Sequence, residues 1–409
     1  MKLKRTSSFT WGILLATIWS GSACQSGSQS SNQTGSPSGS STIHDAAYVE
    51  AFHQEILVFD THNDVLYTSV MEKGADIGQR IQHGHTDLVR LKEGGVDVQV
   101  FAVWSDASGD FAYANQQIDA LMELIQKYPD AIALAKTPAD IQTIQDQQKI
   151  AAVIGVEGGH MIEENLDYLD RLYERGARYL TLTWNQSLSW ASSASDETNP
   201  AFPAEKRGLN AFGRKVIQRM NALGMMVDLS HVGRETFFDV LAETKKPVLV
   251  THSNAAAIAP HPRNLDDDQI AAVRANGGVI GINFYSGFID SNYVKRVHDA
   301  YCKYVGDDAE LLSTDEKLAL LPPEGKQEVR PTIEQLLDHL DYFVEKAGIA
   351  HVAIGSDFDG IDSSPVGLDD VRHFPALTKA LFERGYSEES IKKIMGENMM
   401  RVFRAHQGE

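Results

Sequence analysis

Ile56-Leu57-Val58-Phe59-Asp60-Thr61-His62-Asn63-Asp64 places an imidazole and a carboxylate, two residues apart, directly after an apolar run. On extended or tightly turning backbone, side chains two apart point the same way, so one metal ion can be gripped by both. The same chemistry recurs where other apolar runs end. Glu157 follows 151–156, His231 follows 225–229 and His252 follows 248–250. Five ligand-type residues thus sit at four strand ends.

Outward from that stretch the chain alternates short apolar runs with segments of helical period. Strands are expected at 56–60, 96–104, 151–157, 178–183, 225–230, 247–251, 278–285 and 351–357, with helical patterns at 114–128, 209–223, 235–243, 266–275 and 332–346 among them. Near-continuous apolar strands alternating with helices mean a parallel sheet covered on its outer face, and eight such units predict an α/β fold, a (β/α)8 TIM-type barrel. Such barrels collect their chemistry at the C-terminal ends of strands, where His62, Asp64, Glu157, His231, His252 and Asp357 fall. Residues 286–331 are too long for an ordinary connection and read as an excursion after strand seven with helical pieces of its own, covering the barrel mouth.

A shared carboxylate lets few ligands hold two ions. His62, Asp64 and one oxygen of Glu157 can take one; the other oxygen of Glu157, His231 and His252 can take the second. Imidazoles and carboxylates without thiolate suit zinc best, with Mn or Co as substitutes. Asp357, in Gly355-Ser356-Asp357-Phe358-Asp359-Gly360, is placed to act as general base and acid. Asp359 before Gly360 reads as a turn residue. Arg263 can hold a carboxylate or an oxyanion through two donors, or be an ordinary surface arginine. Taken singly, Glu157 could hold a loop, and His231 and His252 could cap strand ends. It is their coincidence at neighbouring strand ends that points to a metal site. His53, His83, His85, His298, His339, His373 and His406 are expected on the surface, and His160 is left open.

Together, His62-Asn63-Asp64, Gly155-Val156-Glu157-Gly158-Gly159-His160, Asp228-Leu229-Ser230-His231, Thr251-His252-Ser253, Arg263-Asn264 and 355–360 resemble the membrane dipeptidase family, also called renal dipeptidase or peptidase family M19, of the amidohydrolase superfamily. The resemblance runs from about Tyr48 to Ala405 and includes Asn398-Met399-Met400-Arg401-Val402-Phe403. It implies two Zn2+ on the ligand set above and hydrolysis of dipeptides with free termini by a metal-bridging hydroxide, with a C-terminal D-residue accepted. It further implies that Glu157 bridges the ions, that Arg263 contacts the substrate carboxylate or the intermediate, that Asp357 lies near the substrate amine and the hydroxide, and that Tyr285 lines the pocket. One position departs from the family. Animal members carry a His where this chain has Trp184, followed by Asn185. Indole donates one hydrogen bond but cannot be a cation, so either Asn185 or a metal stabilises the carbonyl oxygen, or the substrate differs. Two alternatives stay open: another amide, lactone or deacetylase hydrolase on the same dimetal centre, and a non-catalytic solute-binding lipoprotein, against which the intact ligand set argues.

Lys2, Lys4 and Arg5 precede an apolar stretch at 9–19, which is followed by Gly21-Ser22-Ala23 and Cys24. This is an export signal, and the stretch is shorter than the roughly 20 apolar residues that span a bilayer. It resembles a bacterial lipoprotein signal with Cys24 lipidated. Gly21 stands where Leu is usual, so plain secretory cleavage near Ala23 remains the alternative. The expected organisation is a signal peptide at 1–23, a Ser/Gly-rich tether at 24–43 and a barrel at 44–409, in a protein exported to the bacterial cell envelope and held there by lipid only, or else secreted or periplasmic. With two cysteines in the chain, Cys24 and Cys302, lipidation of the first excludes an intramolecular disulfide. Acidic residues outnumber basic ones 56 to 37, and no basic stripe interleaves with aromatics, so nucleic acid is excluded as a partner. The expected partner is a small dipeptide, with a homodimer left open.

Overall fold

In the computed structural model, residues 44–106, 108–306 and 311–407 are described. The expected signal peptide and tether, with Cys24, lie outside the described residues. The strands are β1 Phe59–Asp60, β2 Val98–Trp104, β3 Ile132–Leu134, β4 Ile150–Glu157, β5 Ala177–Thr181, β6 Met226–Asp228, β7 Leu249–Ser253, β8 Val279–Ile282 and β9 Val352–Ile354. Every pairing is parallel. The pairs run β2-β1-β9-β8-β7-β6-β5-β4, and β2 also pairs with β4, so eight strands close into a barrel. The eight expected strands are its staves, mostly shorter than expected. The ninth, β3, is an addition that pairs only with the first residues of β4, Ile132 opposite Ile150.

Alternation along each strand separates two apolar layers. On β4, Ala151 and Val153 join an interior cluster with Phe59, Val98, Val100 and Tyr179. Ala152, Ile154 and Val156 pack outward beneath the helices. Met399, Met400, Val402 and Phe403, from the last helix Asn398–Gln407, join the interior cluster.

The helices begin where side chains can satisfy their free amides. Asp110 caps Phe111–Lys127, Asn210 caps Ala211–Leu223, and Asp266 and Thr332 form capping boxes on Asp267–Asn276 and Ile333–Ala347. Among the described residues, the excursion holds four helices, Ser286–Ile289, Tyr293–Tyr304, Thr314–Leu320 and Pro323–Val329. Tyr293, Val297, Ala300, Tyr301, Leu318, Leu321 and Val329 form a small core of their own that packs these helices together.

Three histidines expected on the surface are buried. His53 reaches Thr378 Oγ1 and the Gly94 carbonyl, both at 2.8 Å. His339 accepts the Ala255 amide at 3.0 Å and donates to the Ile289 carbonyl at 2.9 Å. His406 donates to the Pro247 carbonyl at 2.7 Å. A helical neighbourhood does not say which face a residue occupies, and both ring nitrogens of His53 and His339 find partners, whereas His406 Nδ1 is buried without one among the described residues.

Candidate metal centre

Past β1 the chain turns along Phe358, which accepts the Asp64 amide at 3.0 Å. Asn63 points aside to Thr86 Oγ1 at 2.8 Å, which leaves His62 and Asp64 on the barrel axis side. His62 Nε2 lies 3.4 Å from Asp64 Oδ2 and 3.3 Å from Glu157 Oε2. The other oxygen, Glu157 Oε1, lies 2.9 Å from His231 Nε2 and 3.5 Å from His252 Nε2. Glu157, the last residue of β4, therefore stands between the two expected ligand groups, one oxygen toward each.

These atoms fit cations. The two Nε2 atoms of His231 and His252 face each other at 3.0 Å. The Nδ1 of His231 meets Asn185 Oδ1 at 3.1 Å. The Nδ1 of His252 meets Thr251 Oγ1 at 2.9 Å, and that hydroxyl donates to Asp228 Oδ2 at 2.8 Å. Both Nδ1 atoms are thus donors, and both Nε2 lone pairs converge with Glu157 Oε1, three acceptors with no proton among them. His62 Nε2 and Asp64 Oδ1 are buried without a hydrogen-bond partner among the described residues. The ligand atoms of His62, Glu157 and His252 lie within 4.8 Å of one another, as do those of His62, Asp64 and Asp357. A tetrahedral ion at ordinary bond lengths spaces its ligand atoms about 3.3 Å apart, close to the separations seen here.

Burial, together with the Arg263 charge, pushes His231 down to about 4 and His252 well below the usual imidazole range, so both stay neutral and ready to ligate. Burial alone would raise Glu157, but His62 and His231 beside it hold it well below the carboxylate range. Burial opposes a charge on His62, while Tyr179, Glu157 and Asp64 beside it raise the imidazole.

Asp357 follows β9 with a left-handed backbone, φ 60°, as does His231 after β6, φ 68°. Conformations costly for such residues persist where their surroundings over-determine them, as at functional sites. Gly360 makes room: a Cβ there would lie 2.2 Å from Asp64 Oδ2 and 2.7 Å from Asp357 Oδ1. Burial pushes Asp357 up to about 8, with Asp64 and Glu157 adding to it and His62 and an Asn283 hydrogen bond opposing. A divalent cation nearby would pull it back down.

Asp64, Glu157, His231 and Asp357 open onto a cavity of about 490 Å³ that Arg263, Tyr285, Trp184 and Asn185 also line. Arg263 is buried over Phe288, 5.4 Å from its ring centre, and donates to the His252 carbonyl at 3.2 Å. Its Nε is buried without a partner among the described residues, and burial lowers the guanidinium to about 10. Trp184 packs edge-on to Trp104 at 5.0 Å. Asn185 spends its Oδ1 on His231, so it positions a ligand-type imidazole in addition to lining the cavity. His160 stays outside the ligand group, with Nε2 3.0 Å from Ser105 Oγ. Asp359 makes the expected turn, φ 66°, as a buried one: its Oδ1 accepts the His85 amide at 2.9 Å. Asn283, Trp104 and Tyr179 join the site without a motif of their own in the sequence. The signal for Asn283 is an amide just past the apolar strand β8, at the strand end where such barrels place chemistry.

The chain matches the family model described as membrane dipeptidase, peptidase family M19, over residues 46–408. A Schizosaccharomyces pombe protein described as an uncharacterized dipeptidase is 34% identical over 368 residues, 85% of this chain and 80% of that one. Dipeptidase verJ of Clonostachys rogersoniana is 35% identical over 339 residues, 80% and 76% of the two chains. A crystal structure of a metallo peptidase from Rhodobacter sphaeroides, liganded with a phosphinate mimic of the dipeptide L-Ala-D-Ala, superposes with a TM-score of 0.71 at 25% identity, covering 86% of this chain and 99% of that one.

Proposed function

The chain belongs to the membrane dipeptidase family, peptidase family M19, and is a metallo-dipeptidase; from that premise we propose that it hydrolyses dipeptides with free termini on two zinc ions, one held by His62, Asp64 and Glu157 and the other by Glu157, His231 and His252. The observation that carries this reading is the convergence of buried imidazole nitrogens on both oxygens of Glu157, His62 on one and His231 with His252 on the other, in a cavity that also holds a buried arginine. Bound there, divalent ions would activate water and polarise the scissile carbonyl.

The chain's own groups do the rest. Arg263 receives the substrate's C-terminal carboxylate, since its buried Nε and fork of donors lack a full set of acceptors. Asp357 takes the proton from the attacking water and gives it to the leaving nitrogen as the C–N bond breaks. Acceptance of a C-terminal D-residue is part of the proposal, supported by the L-Ala-D-Ala mimic on the Rhodobacter relative. We further propose that the protein is exported and lipid-anchored at Cys24, with 24–43 as tether.

The test compares kcat/KM for one dipeptide with its N-acetyl form, its amide and a tripeptide. Each blocked terminus should cost a charge-assisted contact of about 1.5 to 3 kcal/mol, roughly 10- to 100-fold. Blocked forms cleaved as fast as the free one would overturn the dipeptidase reading in favour of a general amide or lactone hydrolase.

A further inference from the structure

We propose that Tyr179 is a positioning residue of the metal centre: its phenol oxygen accepts the Nδ1 proton of His62, fixes that imidazole with Nε2 turned to Glu157 and Asp64, and thereby sets the affinity of one of the two metal positions. The inference rests on reading His62 as a ligand.

His62 follows β1, while Tyr179 lies on β5, across the barrel. Tyr179 Oη is 2.9 Å from His62 Nδ1 and 3.3 Å from the Thr61 carbonyl, and both side chains are fully buried. A carbonyl can only accept, so the single hydroxyl proton goes to Thr61, which leaves an oxygen lone pair for Nδ1–H. A neutral imidazole that ligates through Nε2 must carry its proton on Nδ1, and only a partner that accepts there holds the ring in place.

The route of the tyrosine ring is built into the neighbouring strand. Gly155 pairs with Tyr179 in register, and a Cβ at Gly155 would lie 2.1 Å from Tyr179 Cζ and 2.5 Å from both Cε atoms. Only a residue without a side chain lets the ring pass over β4 to reach β1. The other two imidazoles have different partners, Asn185 for His231 and Thr251 for His252. Loss of the Tyr179 hydroxyl therefore strikes one ligand of one metal position.

Tyr179→Phe keeps the ring over Gly155 and deletes only Oη. Metal-free wild type and variant are titrated with Zn2+ against a chelator, with the melting of each metal-free form as the measure of folding. Wild type should take two ions, and in the variant one binding step should weaken about 10- to 100-fold while the other is unchanged. Nitrogen-15 NMR of zinc-loaded, histidine-labelled wild type should show His62 coordinating through Nε2 and keeping its Nδ1 proton. Unchanged binding in a folded variant, equal weakening of both steps, or coordination of His62 through Nδ1 would each overturn the proposal. If Tyr179→Phe does not fold, the wild-type NMR decides alone. A wild type that binds no zinc overturns the metal-centre reading itself, a result distinct from any of these.

Discussion

Asn283 donates its side-chain amide to Oδ2 of Asp357 at 2.8 Å. Asn283 is itself clamped, its backbone exchanging hydrogen bonds with the Asn254 side chain at 3.1 and 2.9 Å. A donor to a carboxylate favours the charged form. Asn283→Leu should therefore raise the Asp357 pKa, shift the acid limb of the kcat/KM profile to higher pH and lower kcat about 10- to 100-fold. An acid limb that does not move would remove Asn283 from the proton-transfer step.

Glu157→Gln replaces a charge whose two oxygens serve both ligand groups. The variant should fold, because the barrel core does not depend on this carboxylate. It should bind fewer than two ions after gel filtration and lose activity by at least the 10- to 100-fold typical of disturbing a metal ligand's partner. Two ions per chain with wild-type turnover would end the bridging role.

Arg263→Lys keeps a positive charge but loses the planar fork. For a free dipeptide KM should rise about tenfold or more, and for the corresponding amide it should hardly change, since the amide offers no carboxylate to lose. Parallel losses on both substrates would mean that Arg263 supports the site and does not read the carboxylate.

If Cys24 carries lipid, exported wild type should partition into detergent and Cys24→Ser should stay in water, because acyl chains supply the membrane affinity and a Ser/Gly-rich tether supplies none. Equal partitioning would favour simple secretion.

His406 is nearly fully buried, and burial pushes its pKa down to about 4. The unfolded chain's histidine titrates near 6.5, so the unfolded state takes the proton first and stability falls as pH drops from about 6.5 to 4. Gln can keep the donation to the Pro247 carbonyl without titrating. The stability gap between His406→Gln and wild type should therefore move in the variant's favour by about 2 kcal/mol from pH 7 to pH 5 in urea denaturation. A gap independent of pH would show that His406 does not titrate in this range.

The barrel, its eight staves and the residues that gather around Glu157 were legible in the sequence because each rests on local pattern. Apolar runs of strand length mark the staves, Asp266 and Thr332 mark helix starts, and His62 with Asp64 shows its chemistry within three residues. Membership of the membrane dipeptidase family was legible for the same reason, carried by short motifs at strand ends. Only the tertiary structure decided which groups hold those motifs in place. Tyr179 meets His62 across 117 residues, Asn283 meets Asp357 across 74, and the burial of His53 depends on Thr378, 325 residues away. No local periodicity encodes such pairs. They arise when barrel closure and the packing of the outer helices bring residues far apart in sequence within hydrogen-bond reach, and a buried polar group then keeps whichever partner that packing supplies.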